Sequence, residues 1–159
     1  MSKILIAYYS YSGNTRKVAR QIQKIVGGDL FEIQPVDDYP ENYNACVEQA
    51  KKEIAEGYRP SLVGKLDDIG QYDTVFLGSP VWWYTVAPPV MTFLSEHDFS
   101  GKEISPFCTH GGSGLSKCQT DIAKACPKAT VLNALALWGN KIGASHKELA
   151  DWLHRIELK

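Results

Sequence analysis

The sequence lacks an excess of charge of either sign. Its 17 Lys and Arg residues and 18 Asp and Glu residues leave a formal net charge of −1. Nucleic-acid-binding proteins usually carry a basic excess or a basic stripe, so this balance argues against that class. No apolar run approaches the roughly 20 residues of a membrane-spanning helix, and residues 4–9 are too short a run for a signal-peptide core. We therefore expect a cytoplasmic protein with no nucleic-acid and no membrane partner.

Cysteine is scarce, and its spacing matches no metal site. The four cysteines are Cys46, Cys108, Cys118 and Cys126. None forms a C-x-x-C pair, and no pair of histidines completes a zinc-binding pattern. A chain of this length can bury a core without disulfide bonds. We interpret the four as reduced and mostly structural thiols, and we predict no metal site; a redox-active cysteine stays open from sequence alone.

What is present is the composition of an ordinary globular domain. Hydrophobic residues make up 44% of the 159 residues and charged residues 22%. The sequence contains no repeat, low-complexity tract or linker, so we predict a single domain over residues 1–159.

Short apolar runs alternate with helical stripes along the chain. Such alternation predicts an α/β fold, with a mostly parallel sheet covered by helices on both faces. Pro106 removes a backbone donor and weakens the fourth strand prediction. The predicted strands are residues 4–9, 29–34, 74–77, 102–109 and 130–137. The predicted helices are residues 18–26, 43–55, a helix opened by Pro88, residues 115–125, and a last helix with capping-box spacing at Ser145 and Glu148.

Ligands of such sheets bind beyond the carboxyl ends of the strands. The first of these positions is residues 10–15, here called the hydroxyl loop, which contains Ser10, Ser12, Gly13, Asn14 and Thr15. It leads directly into a helix, whose free N–H groups bind anions, and its hydroxyls add donors suited to a phosphate monoester. The sequence lacks the P-loop and dinucleotide-binding patterns. The alternative is that Ser12 or Asn14 simply caps the helix.

Two further loops follow predicted strands at the same edge. Residues 78–85, the aromatic segment, place Trp82, Trp83 and Tyr84 side by side, which suggests a planar ligand. The alternative is that a tryptophan packs under the next helix. Residues 109–114, the glycine loop, contain three glycines whose exposed N–H groups can bond a ring edge. His110 lies either near that ring or in solvent.

Together the three loops resemble those of the flavodoxin family. The S-x-S-G-N-T segment resembles the flavodoxin phosphate loop, written [ST]-x-[ST]-G-x-T, and the resemblance covers essentially the whole chain. It implies a flavodoxin-like three-layer α/β/α sandwich of the short-chain form, with a five-stranded parallel sheet of order 2-1-3-4-5, and non-covalent FMN. The FMN-binding residues that it implies are Ser10, Ser12, Gly13, Asn14 and Thr15 for the phosphate, and, for the ring, Pro80, Val81, Trp82, Trp83, Tyr84, Thr109, His110, Gly111, Gly112 and Ser113.

The resemblance implies a redox protein that transfers electrons between protein partners. A second hypothesis is an FMN-dependent NAD(P)H:quinone-type oxidoreductase, and a third is a non-redox module on the same fold. Two features depart from electron-carrying flavodoxins. The chain is nearly neutral rather than strongly acidic, and residues 80–86 contain no glycine.

Overall fold

The computed structural model describes residues 3–64, 66, 68–112, 114–139 and 146–157. Strands and helices alternate along this part of the chain as predicted. The strands are β1 (Ile4–Tyr8), β2 (Asp29–Glu32), β3 (Thr74–Trp82), β4 (Thr85–Val86), β5 (Glu103–His110), β6 (Thr130–Val131) and β7 (Leu135–Trp138). The helices are α1 (Asn14–Val26), α2 (Tyr43–Glu56), α3 (Pro88–Glu96), α4 (Cys118–Ala125) and α5 (His146–Glu157).

The sheet has five positions in the order β2-β1-β3-β5 and then β6 with β7. β6 and β7 both pair in parallel with β5, at opposite ends of it, and so share the fifth position. The predicted order 2-1-3-4-5 is therefore confirmed. β4 is the antiparallel addition, paired with the end of β3.

The fifth strand is interrupted, where the sequence predicted a continuous one. β6 pairs with Glu103 and Ile104, and β7 pairs with residues 107–110. Pro106 lies between these two pairings. The proline that lacks a backbone donor thus falls where the neighbouring ladder has a gap, which explains how β5 tolerates it.

Three other boundaries differ from the prediction. β3 continues to Trp82 instead of ending at Leu77, because β5 pairs with it as far as Pro80 and β4 pairs with Val81 and Trp82. α4 begins at Cys118 instead of residue 115, since Ser116 has a φ of +51°, outside the right-handed helical region. Ser145 of the predicted capping box lies outside the described residues.

Helices cover both faces of the sheet, which gives the three layers. On one face, α1 and α5 bury Ile22 and Trp152 against Phe76 and Phe107 of the sheet. On the other, α2, α3 and α4 bury Ala50, Phe93 and Ile122. None of the described helices combines the length and the apolar character needed to cross a membrane.

Gly78 is where the two central strands and α1 come closest. It pairs with Tyr8 of β1 and with Phe107 of β5. A Cβ atom at residue 78 would lie 2.3 Å from two ring carbons of Phe107 and 3.0 Å from Cγ2 of Thr15. Real Cβ contacts are longer than this, so only glycine lets the phenyl ring and the start of α1 pack here.

We predict that Gly78→Ala lowers the free energy of unfolding by about 2 kcal/mol, because the added methyl group forces Phe107 or Thr15 out of its packed position. Gly111→Ala is the matched control: its Cβ would meet nothing within 4 Å, and we expect a change below about 0.5 kcal/mol. Urea unfolding followed by circular dichroism measures both. Equal stability of the two variants would contradict this packing argument.

Candidate functional site

The three loops singled out in the sequence come together at one edge of the sheet, and described contacts join each to the others. The hydroxyl of Thr15 in the hydroxyl loop lies 2.9 Å from that of Thr109 in the glycine loop. The rings of Tyr11 and Trp82 join the hydroxyl loop to the aromatic segment, with centroids 5.6 Å apart. Lys117, just after the glycine loop, donates its N–H to the carbonyl of Tyr84 at 2.8 Å.

The hydroxyl loop leaves the N-terminus of α1 without a side-chain cap. The N-cap residue is Gly13, with a φ of +99°, and no side chain of the described residues caps the helix. Neither Ser12 nor Asn14 therefore plays the capping role that was the alternative interpretation. The first turn also contains no acidic residue. A helix N-terminus of this kind offers free N–H groups and a partial positive charge to an anion.

The hydroxyls of this loop differ in their surroundings. Ser10 Oγ accepts a hydrogen bond from the N–H of Gly13 at 3.0 Å, which keeps the loop folded over the helix end. Ser12 is exposed, whereas Thr15 is buried and its hydroxyl is engaged with Thr109. Arg16, the next residue of α1, pairs with Glu32 of β2 at 2.5 Å. Its charge is thus largely neutralised within the protein.

Trp82 lies inward among tyrosines. Its ring is 5.6 Å from Tyr9, 5.6 Å from Tyr11 and 4.9 Å from Tyr39, in edge-to-face geometry each time. The hydroxyl of Tyr39 donates to Glu53 at 2.5 Å. Burial raises the pKa of Tyr9 and of Tyr39, so both remain neutral phenols. Trp82 therefore serves as the floor of the site.

Trp83 and Tyr84 form the tip of the hairpin between β3 and β4, and both have positive φ, at 49° and 68°. Side-chain-bearing residues in this region are strained by about 1–3 kcal/mol each. Trp83 is held by a 2.8 Å hydrogen bond from its ring nitrogen to the carbonyl of Val47 and by Lys51, 4.9 Å above the ring. Tyr84 is 60% exposed. Of the three adjacent aromatic residues, Tyr84 thus presents the most open ring.

The remaining two members of the aromatic segment belong to the strand itself. Pro80 pairs with Thr109 across the sheet, and Val81 pairs with Val86 of β4. Both are partly buried. They bring the aromatic segment and the glycine loop side by side.

In the glycine loop, His110 is buried rather than solvated. Its Nδ1 accepts a hydrogen bond from the N–H of Gly112 at 3.1 Å, and its ring lies 5.1 Å from that of Trp138. Burial lowers the pKa of His110, which favours the neutral ring. Gly111 and Gly112 are exposed at the surface of the loop, and Ser113 lies outside the described residues.

The sequence reasoning missed Trp138 and Gly139 at the end of β7. Trp138 is 47% exposed and stands beside Gly112. A Cβ atom at residue 139 would lie 2.9 Å from Nδ2 of Asn14, so the chain passes directly over the hydroxyl loop. The signal was present, because the end of the fifth predicted strand falls at the same sheet edge as the other three.

A surface groove of about 380 Å³ lies away from this edge, between α2, α3 and α4. Several of its polar groups are engaged internally. Thr85 donates to Asp121 at 2.5 Å, and Arg59 donates to the carbonyl of Met91 at 3.2 Å. The uncapped helix end and the exposed rings make the sheet edge the better candidate site.

Comparison with known proteins identifies the family. A family model described as flavodoxin matches residues 3–156. The chain belongs to the flavodoxin family. It is 29% identical over 111 residues to a flavodoxin of Haemophilus influenzae, and the match covers 67% of this chain but only 49%, about half, of that protein.

Solved structures extend the comparison to the whole flavodoxin domain. A candidate flavoprotein from Bacteroides eggerthii is 32% identical, with a TM-score of 0.87 and complete coverage of both chains. A flavoprotein from Lactobacillus acidophilus, solved in complex with FMN, is 25% identical with a TM-score of 0.75, covering 91% of this chain and 98% of that one.

This flavodoxin-family chain therefore places an anion-binding helix end beside a set of aromatic rings. The donors suit a phosphate monoester, and the rings of Tyr84 and Trp138 suit a flat ligand. A molecule that carries both groups fits this edge better than either group alone.

We predict that the stability of this flavodoxin depends on His110 at mildly acidic pH. The unfolded histidine, with a pKa near 6.5, binds a proton more readily than the buried one, so stability is fully present above pH 6.5 and is lost as the pH falls. Urea unfolding between about pH 7.5 and 5.5 should show a shallower loss for His110→Gln than for the wild type.

The control is His154→Gln, on the exposed surface of α5. It should keep the larger pH dependence of the wild type. The argument fails if His110→Gln loses as much stability over this range as the wild type does.

Proposed function

We propose that this chain is an FMN-binding redox protein that transfers electrons between protein partners. The observation that carries the proposal is the convergence of an uncapped helix N-terminus, a hydroxyl-rich loop and exposed aromatic rings at one sheet edge. Membership of the flavodoxin family and the FMN complex of the Lactobacillus acidophilus flavoprotein support FMN as the ligand.

The hydroxyl loop fits the phosphate of FMN. Ser10 and Ser12 supply hydroxyl donors, and Gly13 lets the backbone approach an anion closely. The absence of an acidic residue from the first turn of α1 removes a competing negative charge. The burial of Thr15 and its bond to Thr109 make its backbone N–H the more available donor of that residue.

The isoalloxazine ring would lie among the aromatic and glycine-rich segments. Tyr84 and Trp138 would cover the ring and exclude water, and the N–H groups of Gly111 and Gly112 would reach its polar edge. Thr109, His110, Pro80 and Val81 shape the wall from the sheet side. Neutral His110 adds no positive charge near the ring.

When bound, FMN supplies the electron-accepting and electron-donating chemistry, and the protein supplies binding, orientation and electrostatics. Partners would approach the edge where Trp83, Tyr84 and Trp138 are exposed. The chain's net charge of −1 provides little long-range steering, so we propose docking by short-range apolar contact. We further propose a cytoplasmic location, where the four free thiols stay reduced.

An FMN-dependent NAD(P)H:quinone-type oxidoreductase is the second candidate. The near-neutral charge favours it, because a carrier that docks electrostatically is usually more strongly charged. The stretch 80–86 without glycine also limits backbone rearrangement beside the ring.

An anaerobic reductive titration of the FMN-reconstituted protein, followed by visible absorption, distinguishes the two. We expect reduction in two resolved one-electron steps, as one-electron transfer between proteins requires. Reduction in one unresolved two-electron step, together with rapid steady-state oxidation of NAD(P)H by a quinone, would establish the reductase instead. If the purified protein fails to bind FMN, both candidates are wrong.

A variant of the hydroxyl loop tests the phosphate assignment. We predict that Ser12→Ala weakens FMN binding about tenfold, since a hydrogen bond to a charged group contributes about 1.5 kcal/mol or more. The same variant should bind riboflavin, which lacks the phosphate, as well as the wild type does. Quenching of flavin fluorescence measures both affinities. Ser95→Ala, on α3, is the matched control and should leave both unchanged. An equal loss for FMN and riboflavin would contradict the assignment.

A further inference from the structure

Two buried cysteines lie together beneath the glycine loop. Cys108 is near the end of β5, next to Thr109, and Cys118 is the first residue of α4. Both belong to the same core cluster, with exposures of 1% and 0%. Their side chains are in hydrogen-bond contact. The other two cysteines, Cys46 and Cys126, lie elsewhere in the chain, on α2 and just after α4.

We propose that Cys108 and Cys118 form a reversible disulfide bond in exchange with low-molecular-weight disulfides of the glutathione class. The two sulfur atoms already touch, so bond formation requires only a small approach of the side chains. The bond would enclose residues 109–117, which contain the whole glycine loop. This modification site is separate from the chemistry proposed for FMN.

The exchange balances in two steps. The Cys118 thiolate attacks one sulfur of the small disulfide, the small S–S bond breaks, and one small thiol leaves with the proton that Cys118 gave up. The Cys108 thiolate then attacks the Cys118 sulfur, forming the protein disulfide, and the second small thiol leaves with the proton of Cys108. The two cysteines are oxidised by two electrons, and the small disulfide is reduced to two thiols.

The order of the two steps follows from the surroundings of each thiol. Cys118 lies at the N-terminus of α4, where free backbone N–H groups stabilise a negative sulfur. The hydrogen bond with Cys118 and burial both raise the pKa of Cys108. Cys108 is therefore the slower thiol, and closure of the disulfide should accelerate as the pH rises.

The segment that covers the pair can open locally. Gly111, Gly112, Ser116 and Lys117 are exposed, and Ser116 has a φ of +51°. Exposed turns of this kind open at a lower free-energy cost than the whole domain unfolds. Opening of this segment would admit the small disulfide to Cys118 without global unfolding.

The experiment is oxidation of the apo protein with oxidised glutathione at about pH 8.5, near the thiol pKa range, followed by thiol counting and a non-reducing peptide map. We expect two of the four thiols to be lost, with Cys108 and Cys118 joined in one peptide pair, and dithiothreitol to restore all four. Retention of all four thiols, or pairing through Cys46 or Cys126, would overturn the proposal.

Single variants test the order of attack. Cys108→Ser should stop after the first step and accumulate a glutathione adduct on Cys118. Cys118→Ser should accumulate none on Cys108. Cys126→Ser is the matched control, since it removes another buried thiol at the end of α4 and should still lose two thiols. An adduct on Cys108 in Cys118→Ser would overturn the assigned order, and the wild-type map decides the disulfide even if a variant fails to fold.

One consequence rests on the proposed function. If FMN binds the glycine loop, it stabilises the closed segment, so FMN at about 100 times its Kd should slow oxidation about 100-fold. An unchanged rate with FMN shown to be bound by fluorescence would overturn this coupling. Absence of FMN binding would instead overturn the proposed function, while the disulfide result on the apo protein would stand by itself.

Discussion

The packing of Phe107 and Thr15 over Gly78 is the contact on which the site depends. Gly78 lies in β3, between β1 and β5, and its missing side chain lets the phenyl ring and the first turn of α1 approach the sheet. The position of α1 in turn places Thr15 within 2.9 Å of Thr109. One glycine thus aligns the helix end that receives an anion with the glycine loop that receives a ring.

The aromatic hairpin shows strain offset by tertiary contacts. Trp83 and Tyr84 both have positive φ, which asparagine or glycine would adopt more readily. The hydrogen bond from Trp83 to Val47, the cation of Lys51 and the bond from Lys117 to Tyr84 hold the tip in place. Large rings at strained positions serve function better than folding, because smaller residues would form the turn at lower cost but would expose no aromatic surface.

The predictions failed where contacts distant in sequence set the outcome. Residues 78–82 read as a loop because Gly78 and Pro80 disfavour strands, yet pairing with β5 and β4 extends β3 through them. His110 could not be assigned to the interior, since its burial depends on Trp138, 28 residues later. The contact between Cys108 and Cys118 was equally inaccessible, because it requires β5 and α4 to be in their final positions.

The sequence by itself determined the alternation of strands and helices, the parallel order of the sheet and the edge at which the loops gather. Apolar periodicity and right-handed crossovers are local or topological rules, so one chain suffices to apply them. Only the tertiary structure decided which side chains face the site. Trp82 turns inward while Tyr84 faces outward, and both follow the same strand. Their directions depend on the tyrosines and backbone carbonyls that other elements bring to them, which no local pattern encodes.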